Sequence, residues 1–545
     1  MTLKRLILGI LTAIAIAFAA LSLLQSWNQP QIQSRLELYQ TNLLLHAAEW
    51  QGDQNQNPNP NLAVVRESLT GKDVLKTALD QYQEARQTAQ KTLETTFAQI
   101  KALSATDDGT AQQSEKLKTE ARSSAQLLQL KATLQRVELL RDELDLRVGI
   151  LQAHKQQTDA ALTTWEDLIE RERVQAGSKL LVETAKVLVG LWSNPAQLLP
   201  DAESQLQKNL DGWFRYRALT QLYQLQERQE ALATIQRAEQ VVAQQAIEKL
   251  AIVVTVPTLG FLIGLGLLIF AVLQRLAQWK RATPGDGGMI PGSSQERQSI
   301  LRLKPLPSIA WDGETILQVM VVGFFLVGQI LVPLALGIAN AIARINPGTF
   351  DARTQALYIL AQYVLLAAGG LSVLYVSLHP FLPLPEGLFR IHWRGNWFWW
   401  GLGGYLAALP LVIVVSLINQ QLWQGQGGSN PILPIALESR DGVALAVFFF
   451  TASIAAPMFE EIMFRGFLLP SLTKYLPLWG AIAASGLIFA VAHLNISEVL
   501  PLATLGAVLG FVYVRSRNLL ASMLLHSLWN SGTLLSLFLL GSGAS

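Results

Sequence analysis

The chain has 545 residues, of which 50% are hydrophobic, 15% are charged and none is cysteine, and its formal net charge is +2. The absence of cysteine excludes disulfides, thiolate metal sites and a cysteine nucleophile, and the near balance of charge predicts no nucleic-acid partner. At roughly 100–200 residues per domain, the length predicts two or three domains. A hydrophobic content this high in a chain of this length is typical of a membrane protein.

The first apolar run, residues 6–24, has about the ~20 residues needed to cross a bilayer, and Lys4 and Arg5 precede it. Residues 1–27 are therefore predicted to form an N-terminal transmembrane anchor whose basic end stays in the cytoplasm. A cleavable signal peptide is the alternative, because "AFAA" resembles a cleavage site. The apolar part of such a peptide is usually only ~7–15 residues long, which favours the anchor.

Residues 28–249 are rich in Gln, Ala, Leu and Glu, and they are predicted to form an all-helical domain outside the cytoplasm. Ala161, Ala196 and Ala231 recur at a spacing of 35, close to the ~34-residue period of tetratricopeptide repeats. Two interpretations stay open: such repeats from about residue 136, or a plain helical bundle. In either case, we expect the domain to offer a surface to a protein partner.

The remainder of the chain alternates apolar runs with basic loops. Residues 250–273 are a second predicted transmembrane span, 274–314 a cytoplasmic linker, and 315–545 a polytopic membrane domain. The predicted spans are 6–24, 250–273, 315–340, 356–378, 398–419, 443–470, 478–496, 499–514 and 519–540. The predicted fold class is all-α: a polytopic membrane helix bundle with a large extracytoplasmic helical domain inserted after the first span. We expect it in a bacterial-type cytoplasmic membrane or in a thylakoid membrane.

Three ionisable groups stand inside the apolar stretch "AAPMFEEIMFRGF" at 455–467. A charged side chain at the centre of a membrane helix costs ~2.5–3.5 kcal/mol on insertion scales, so such residues usually have a function. Glu461 and Arg465 are four positions apart and can form an ion pair on one helix face. Glu460 lies about 100° round the helix from Glu461 and can point elsewhere in the bundle.

Two later apolar segments also carry polar groups. His493 lies in "FAVAH", and His526 and Asn530 lie four positions apart in "HSLWN", so the last two share a helix face. With allowance for helix tilt and bending, their estimated depths in the membrane let these side chains converge with Glu460 on one buried site. A carboxylate with imidazole and amide groups suits hydrolysis, and two histidines with a glutamate can also hold zinc. The alternative is a set of polar contacts that only join helices.

The motifs "EEIMFR", "FAVAH" and "HSLWN" follow one another in order on successive apolar segments. They resemble the E-E-x-x-x-R, F-x-x-x-H and H-x-x-x-N motifs of the CPBP intramembrane proteases. That family includes the type II C-a-a-X prenyl endopeptidases and the Abi-like bacteriocin-processing proteins. The resemblance covers about residues 400–540 and implies an intramembrane endopeptidase core, dependent on a glutamate or a metal.

The resemblance implies a catalytic set of Glu460, His493, His526 and Asn530, with Glu461 and Arg465 as a supporting pair. In this scheme, Glu460 activates water and His493 assists it. His526 and Asn530 stabilise the oxyanion. The other expectation is a Zn²⁺ ion held by Glu460, His493 and His526.

A membrane-associated peptide or protein is the predicted substrate, and the lipid bilayer is the predicted surrounding. The main alternative is a non-catalytic membrane scaffold or immunity protein that acts through its helical extracytoplasmic domain. A transporter or proton relay is less favoured, because the polar groups cluster in one part of the chain and no matching broken segments occur in two halves.

Overall fold

The computed structural model describes residues 2–27, 32–52, 60–71, 73–105, 113–174, 179–282, 305–423, 426–430, 433, 435 and 441–541. Within these ranges the chain is helical and contains no β-strand, which confirms the predicted all-α fold class. The chain divides into two compact units. The membrane unit is Met1–Ile32 with Val254–Phe538, and the helical unit is Gln33–Val253 with Leu539–Ser545.

The helices are numbered here in chain order. Helices α1 to α10 are Leu3–Ser26, Ile32–Ala48, Pro60–Thr70, Val74–Ala105, Gln113–His154, Thr158–Val174, Lys179–Trp192, Ala202–Asn209, Gly212–Leu225 and Gln229–Ala282. Helices α11 to α17 are Gly313–Ala343, Ala352–Leu378, Trp397–Trp423, Gly442–Leu472, Leu478–Val491, Val499–Ser516 and Leu519–Gly541.

Eight of these helices are long and apolar enough to cross a membrane: α1, α10, α11, α12, α13, α14, α16 and α17. The chain is therefore a multi-pass integral membrane protein. The prediction of a full-length span at 478–496 is wrong, because α15 ends at Val491 and Leu494 adopts a left-handed φ of 61°. At 1.5 Å per residue, its 14 residues extend about 21 Å, less than the ~30 Å hydrocarbon core.

Aspartate marks the start of three membrane helices. Asp312, Asp351 and Asp441 precede α11, α12 and α14, and each accepts a hydrogen bond from a backbone N–H two or three positions further along. This is the usual way to satisfy donors that a first helical turn leaves unpaired.

Helix α14 is not a uniform α-helix. It contains π-helical turns at Thr451–Ala455 and Ile462–Leu468, which leave Ala456–Glu461 between them as an α-helical stretch. Each π-helical segment includes the residue four positions before a proline, namely Pro457 or Pro470. Proline has no N–H and its ring crowds that carbonyl, so the wider π turn accommodates the missing bond. The two glutamates lie at the end of the short α-helical stretch.

Helix α1 is fastened to the membrane unit near both of its ends. Arg5 Nε donates to Glu314 Oε2 at 3.0 Å, and the backbone N–H of Ile496 donates to Ser26 Oγ at 3.0 Å. Between these points, the ring of Phe18 packs edge-on against a phenylalanine of α11 at 5.3 Å. These contacts join α1 to α11 and to the segment before α16.

The end of the predicted linker, 274–314, packs into the membrane unit. Trp311 is fully buried, its indole N–H donates to Ser471 Oγ at 2.8 Å, and its ring stacks on Phe467 at 5.8 Å. Lys474 Nζ donates to the Trp311 carbonyl oxygen at 2.6 Å. These contacts join the segment before α11 to the end of α14.

The helical unit packs α4, α5, α6, α7 and α9 around one apolar core. Ala161 is buried in α6 and Ala231 lies in α10, but Ala196 is exposed in the non-helical stretch between α7 and α8. Pro195 and Pro200 stand in that stretch, where they disfavour a helix. The middle repeat therefore lacks the helix that the spacing predicted, and a tetratricopeptide-like domain is not confirmed.

A partly buried polar network joins α5 to α9 in the helical unit. Arg217 Nη2 lies 2.8 Å from Glu49 Oε1 and 2.7 Å from His154 Nε2, and the Trp213 indole N–H donates to Glu49 Oε1 at 2.9 Å. Burial and the Arg217 charge lower the pKa of His154 to about 4. The neutral imidazole is thus the form that fits this network.

Acidification is predicted to loosen this network. Between about pH 6.5, the ordinary pKa of histidine, and about pH 4, the unfolded chain binds a proton at His154 that the folded chain does not. Stability therefore falls as the pH falls through this window. Hydrogen exchange of the intact protein should show lower protection of α5 and α9 at pH 5 than at pH 7. The variant His154→Gln should lose much of that difference, whereas His379→Gln, at an exposed histidine of the membrane unit, should retain it.

Candidate active site

Two ionised side chains of α14 pair in the interior of the membrane unit. Arg465 Nη1 donates to Glu461 Oε1 at 2.6 Å, and both side chains have 0% exposure. The guanidinium also donates from Nη2 to the carbonyl oxygen of Gly506 at 3.1 Å and lies 4.6 Å above the ring of Phe489. Because desolvation of a buried ion pair is costly, these additional hydrogen-bond and cation–π contacts help to keep it charged.

Glycines bring the Gly506 carbonyl within reach of Arg465. A Cβ atom on Gly506 would lie 2.7 Å from Gly486 Cα, and one on Gly486 would lie 2.8 Å from the backbone nitrogen of Ala507. Helices α15 and α16 therefore meet backbone to backbone, an approach that glycine permits and larger residues prevent.

Helix α17 brings an imidazole to the same carboxylate. His526 Nδ1 lies 3.0 Å from Glu461 Oε1, and its side chain is only 4% exposed. An ionised carboxylate can only accept, so Nδ1 carries the hydrogen and Nε2 has the lone pair in the neutral ring. The Nε2 atom lies 3.9 Å from Glu460 Oε2. Glu461 thus orients His526 towards Glu460.

Glu460 is the more accessible of the two glutamates, with a side chain 16% exposed. Its Oε1 atom accepts a hydrogen bond from the Tyr363 hydroxyl of α12 at 3.3 Å. Its Oε2 atom is buried, and no donor in the described part of the chain bonds to it. A buried carboxylate oxygen without a donor is costly, and here that oxygen faces His526.

Phe489 connects the two histidines. Its ring centroid lies 4.8 Å from that of His493 and 5.6 Å from that of His526, both edge to face. His493 Nδ1 lies 2.8 Å from the Phe489 carbonyl oxygen, which requires a hydrogen on Nδ1 and leaves the lone pair on Nε2 in the neutral ring. The structure therefore joins His493 to the centre through Phe489.

Asn530 makes a different contact. Its side-chain nitrogen donates to the carbonyl oxygen of Ala452 at 2.7 Å, which ties α17 to the first π-helical turn of α14. Direct contacts among the predicted site residues thus join four of them: Glu460, Glu461, Arg465 and His526.

A zinc site was one expectation for Glu460, His493 and His526. Among the described residues, no three histidine, cysteine, aspartate or glutamate side chains are arranged to hold a metal ion. His526 Nδ1 and His493 Nδ1 are both committed to hydrogen bonds. The Nε2 atoms of both rings remain the nitrogens that could bind zinc, so the three-ligand zinc site stays a prediction, and no chemical step is derived through a metal.

Tyr363 and the contact between Glu461 and His526 escaped prediction from the sequence. Tyr363 lies outside the predicted core of about 400–540. The one sequence feature that could have pointed to it is a hydroxyl group within an otherwise mostly aliphatic helix. The second contact joins α14 to α17, and residue spacing reports only on neighbours within one helix.

The predicted residues of this site lie within a segment that matches a known protein family. Residues 442–532 match a family model described as type II CAAX prenyl endopeptidase Rce1-like. This segment belongs to the CPBP family. The family predicted from the three motifs is confirmed, and all three lie inside the matched residues. We refer to 442–532 below as the CPBP segment.

A curated relative agrees with the family. The membrane-embedded CAAX protease MroQ of Staphylococcus aureus (strain USA300) is 26% identical to this chain over 137 residues, which are 24% of this chain and 54% of that protein. The chain therefore spans about half the length of the relative that it matches. No solved structure matches significantly.

Removal of Arg465 is predicted to destabilise the protein strongly. The variant Arg465→Gln would leave Glu461 buried without its cation, which typically costs ~3–5 kcal/mol. The exposed pair of Arg353 and Asp441, 2.9 Å apart, provides a matched control, and Arg353→Gln should leave the stability nearly unchanged because solvent screens an exposed ion pair. Thermal unfolding in detergent, followed by size-exclusion chromatography, measures both. Equal losses of thermal stability in Arg465→Gln and Arg353→Gln would contradict a structural role for the buried ion pair.

Proposed function

We propose that this protein is an intramembrane endopeptidase that hydrolyses a peptide bond of a membrane-associated protein or peptide. The observation that carries the proposal is the pair of Glu460 Oε2 and His526 Nε2, which face each other across 3.9 Å beside a fully buried ion pair. Membership of residues 442–532 in a family of endopeptidases supports this class of activity.

Glu460 acts as the base in the proposed reaction. It takes one proton from a water molecule while the water oxygen bonds to the carbonyl carbon of the scissile bond, whose oxygen becomes an oxyanion. As the oxyanion collapses, the carbon–nitrogen bond breaks and Glu460 returns the proton to the departing nitrogen. The products are a carboxylic acid and an amine, and Glu460 ends the cycle ionised.

The other residues orient the water and stabilise charge. Neutral His526, held by Glu461, can accept the second hydrogen of the water at Nε2. For the oxyanion, a preorganised donor lowers the barrier, and the Asn530 amide has a second hydrogen besides the one given to Ala452. His493 assists from the far side of Phe489.

The proposal extends to location and partners. We propose a bacterial-type cytoplasmic or thylakoid membrane, with the N-terminus and the basic loops in the cytoplasm and residues 28–249 on the opposite side, where they meet a protein partner. The relative MroQ is called a CAAX protease. The large helical unit distinguishes this chain from the core of the family, so the proposed substrate class is membrane-associated proteins or peptides in general and not prenylated proteins in particular.

Replacement of the proposed base should abolish processing without unfolding the protein. The variant Glu460→Gln keeps the shape of the side chain and removes its ability to take a proton. New peptide N-termini in the membranes of cells that make the wild-type protein should be absent from cells with an equal amount of Glu460→Gln. Mass spectrometry of membrane fractions measures this.

Glu386→Gln, at an exposed glutamate in the loop after α12, is the control and should behave as the wild type. Identical sets of N-termini in wild-type and Glu460→Gln cells would overturn the proposal. That result would favour the scaffold or immunity function, carried by the helical unit.

Metal removal is predicted to leave the activity intact. In the proposed reaction Glu460 takes the proton from water without a metal ion. Processing by the purified protein in lipid vesicles should therefore survive dialysis against EDTA, and elemental analysis should find well under one zinc per chain. Loss of processing on dialysis, with recovery on adding Zn²⁺ alone, would contradict this mechanism.

A further inference from the structure

We propose that Tyr363 is a positioning residue for Glu460, a role that rests on the proposed function. Tyr363 lies on α12, outside the CPBP segment, and its hydroxyl donates to Glu460 Oε1 at 3.3 Å. Held at Oε1, the carboxylate presents Oε2 to His526 Nε2. The hydroxyl thereby selects which carboxylate oxygen faces the position of the attacking water.

The hydrogen of the hydroxyl has two candidate acceptors. The oxygen of Tyr363 lies 3.3 Å from Glu460 Oε1 and 3.4 Å from the carbonyl oxygen of Ala456. A phenol carries one hydrogen, and a bond to an ionised acceptor is about twice as strong as one to a neutral acceptor. The carboxylate is therefore the preferred acceptor.

Packing fixes the tyrosine ring in this place. The ring meets that of Phe459 edge to face at 6.1 Å, and Phe459 is only 3% exposed. Two turns further along α12, a Cβ atom on Gly370 would lie 3.0 Å from Phe459 Cζ, so the two helices are in close contact there. Because the ring is held by neighbours of Glu460, the hydroxyl has little freedom to leave the carboxylate.

Glu460 needs such a restraint. A glutamate side chain loses rotamer freedom when it is ordered, so an additional contact is needed to hold it in one orientation. A carboxylate that rotates about its last bond would spend part of its time with neither oxygen directed at the water. Catalysis depends strongly on holding reacting groups in alignment, so loss of the Tyr363 hydroxyl should lower the rate rather than the stability.

The test compares two Tyr→Phe variants on the same helix. Tyr363→Phe removes the hydroxyl from Glu460 and keeps the ring against Phe459. Tyr358→Phe is the matched control, because its hydroxyl accepts from Asn340 Nδ2 at 3.0 Å, away from Glu460. Both variants should elute from size-exclusion chromatography as the wild type does.

Two readouts separate positioning from simple packing. The first is the infrared band of the Glu460 carboxylate, assigned by its loss in Glu460→Gln; Tyr363→Phe should shift the band and Tyr358→Phe should not. The second is the initial rate at which purified protein in lipid vesicles generates new N-termini from a membrane extract of cells that lack it. Tyr363→Phe should lower this rate about tenfold, which corresponds to ~1.4 kcal/mol of transition-state stabilisation.

Each outcome has a defined meaning. No shift of the band in Tyr363→Phe, or a shift with an unchanged rate, overturns the role of Tyr363. A wild-type protein that generates no N-termini, with the band still shifted by Tyr363→Phe, overturns the proposed function and leaves the hydrogen bond established. Equal rate losses in Tyr363→Phe and Tyr358→Phe would reduce Tyr363 to a packing residue.

Discussion

The buried ion pair between Glu461 and Arg465 is the interaction on which the rest of the site depends. The guanidinium reaches the carbonyl of Gly506 on α16 and the ring of Phe489 on α15, and the carboxylate holds His526 of α17. One pair of charges therefore fixes three neighbouring helices around α14. Because an uncompensated charge at this depth costs several kcal/mol, these contacts are coupled, and the geometry next to Glu460 follows from them.

Irregular backbone segments position the ion pair between Glu461 and Arg465. The π-helical turns on either side of Ala456–Glu461 follow from prolines one turn further along, and the glycine contact between α15 and α16 exposes a carbonyl to Arg465. A short helix, α15, ends just before His493 and lets the chain turn there. The prolines, the glycines and the early end of α15 are all local features. Together they bring the polar groups of the site close to one another inside an apolar helix bundle.

Much of this was accessible from the sequence. The all-α class, the multi-pass membrane arrangement, the family and the pairing of Glu461 with Arg465 follow from apolar length, ordered motifs and four-residue spacing. Other features were not accessible. Spacing along one helix does not report on neighbours from another, so Tyr363 and the bond from His526 to Glu461 were missed. A regular period also suggested a repeat at Ala196 that the local prolines prevent.

The central claim is that the Glu460 carboxylate performs hydrolysis at this centre. The most direct test uses purified protein reconstituted in lipid vesicles and a membrane extract from cells that lack it, so that no downstream change in the cell intervenes. The account predicts that wild-type protein produces defined new peptide N-termini and that folded Glu460→Gln produces none of them. The same N-termini formed at the same rate by both proteins would contradict it.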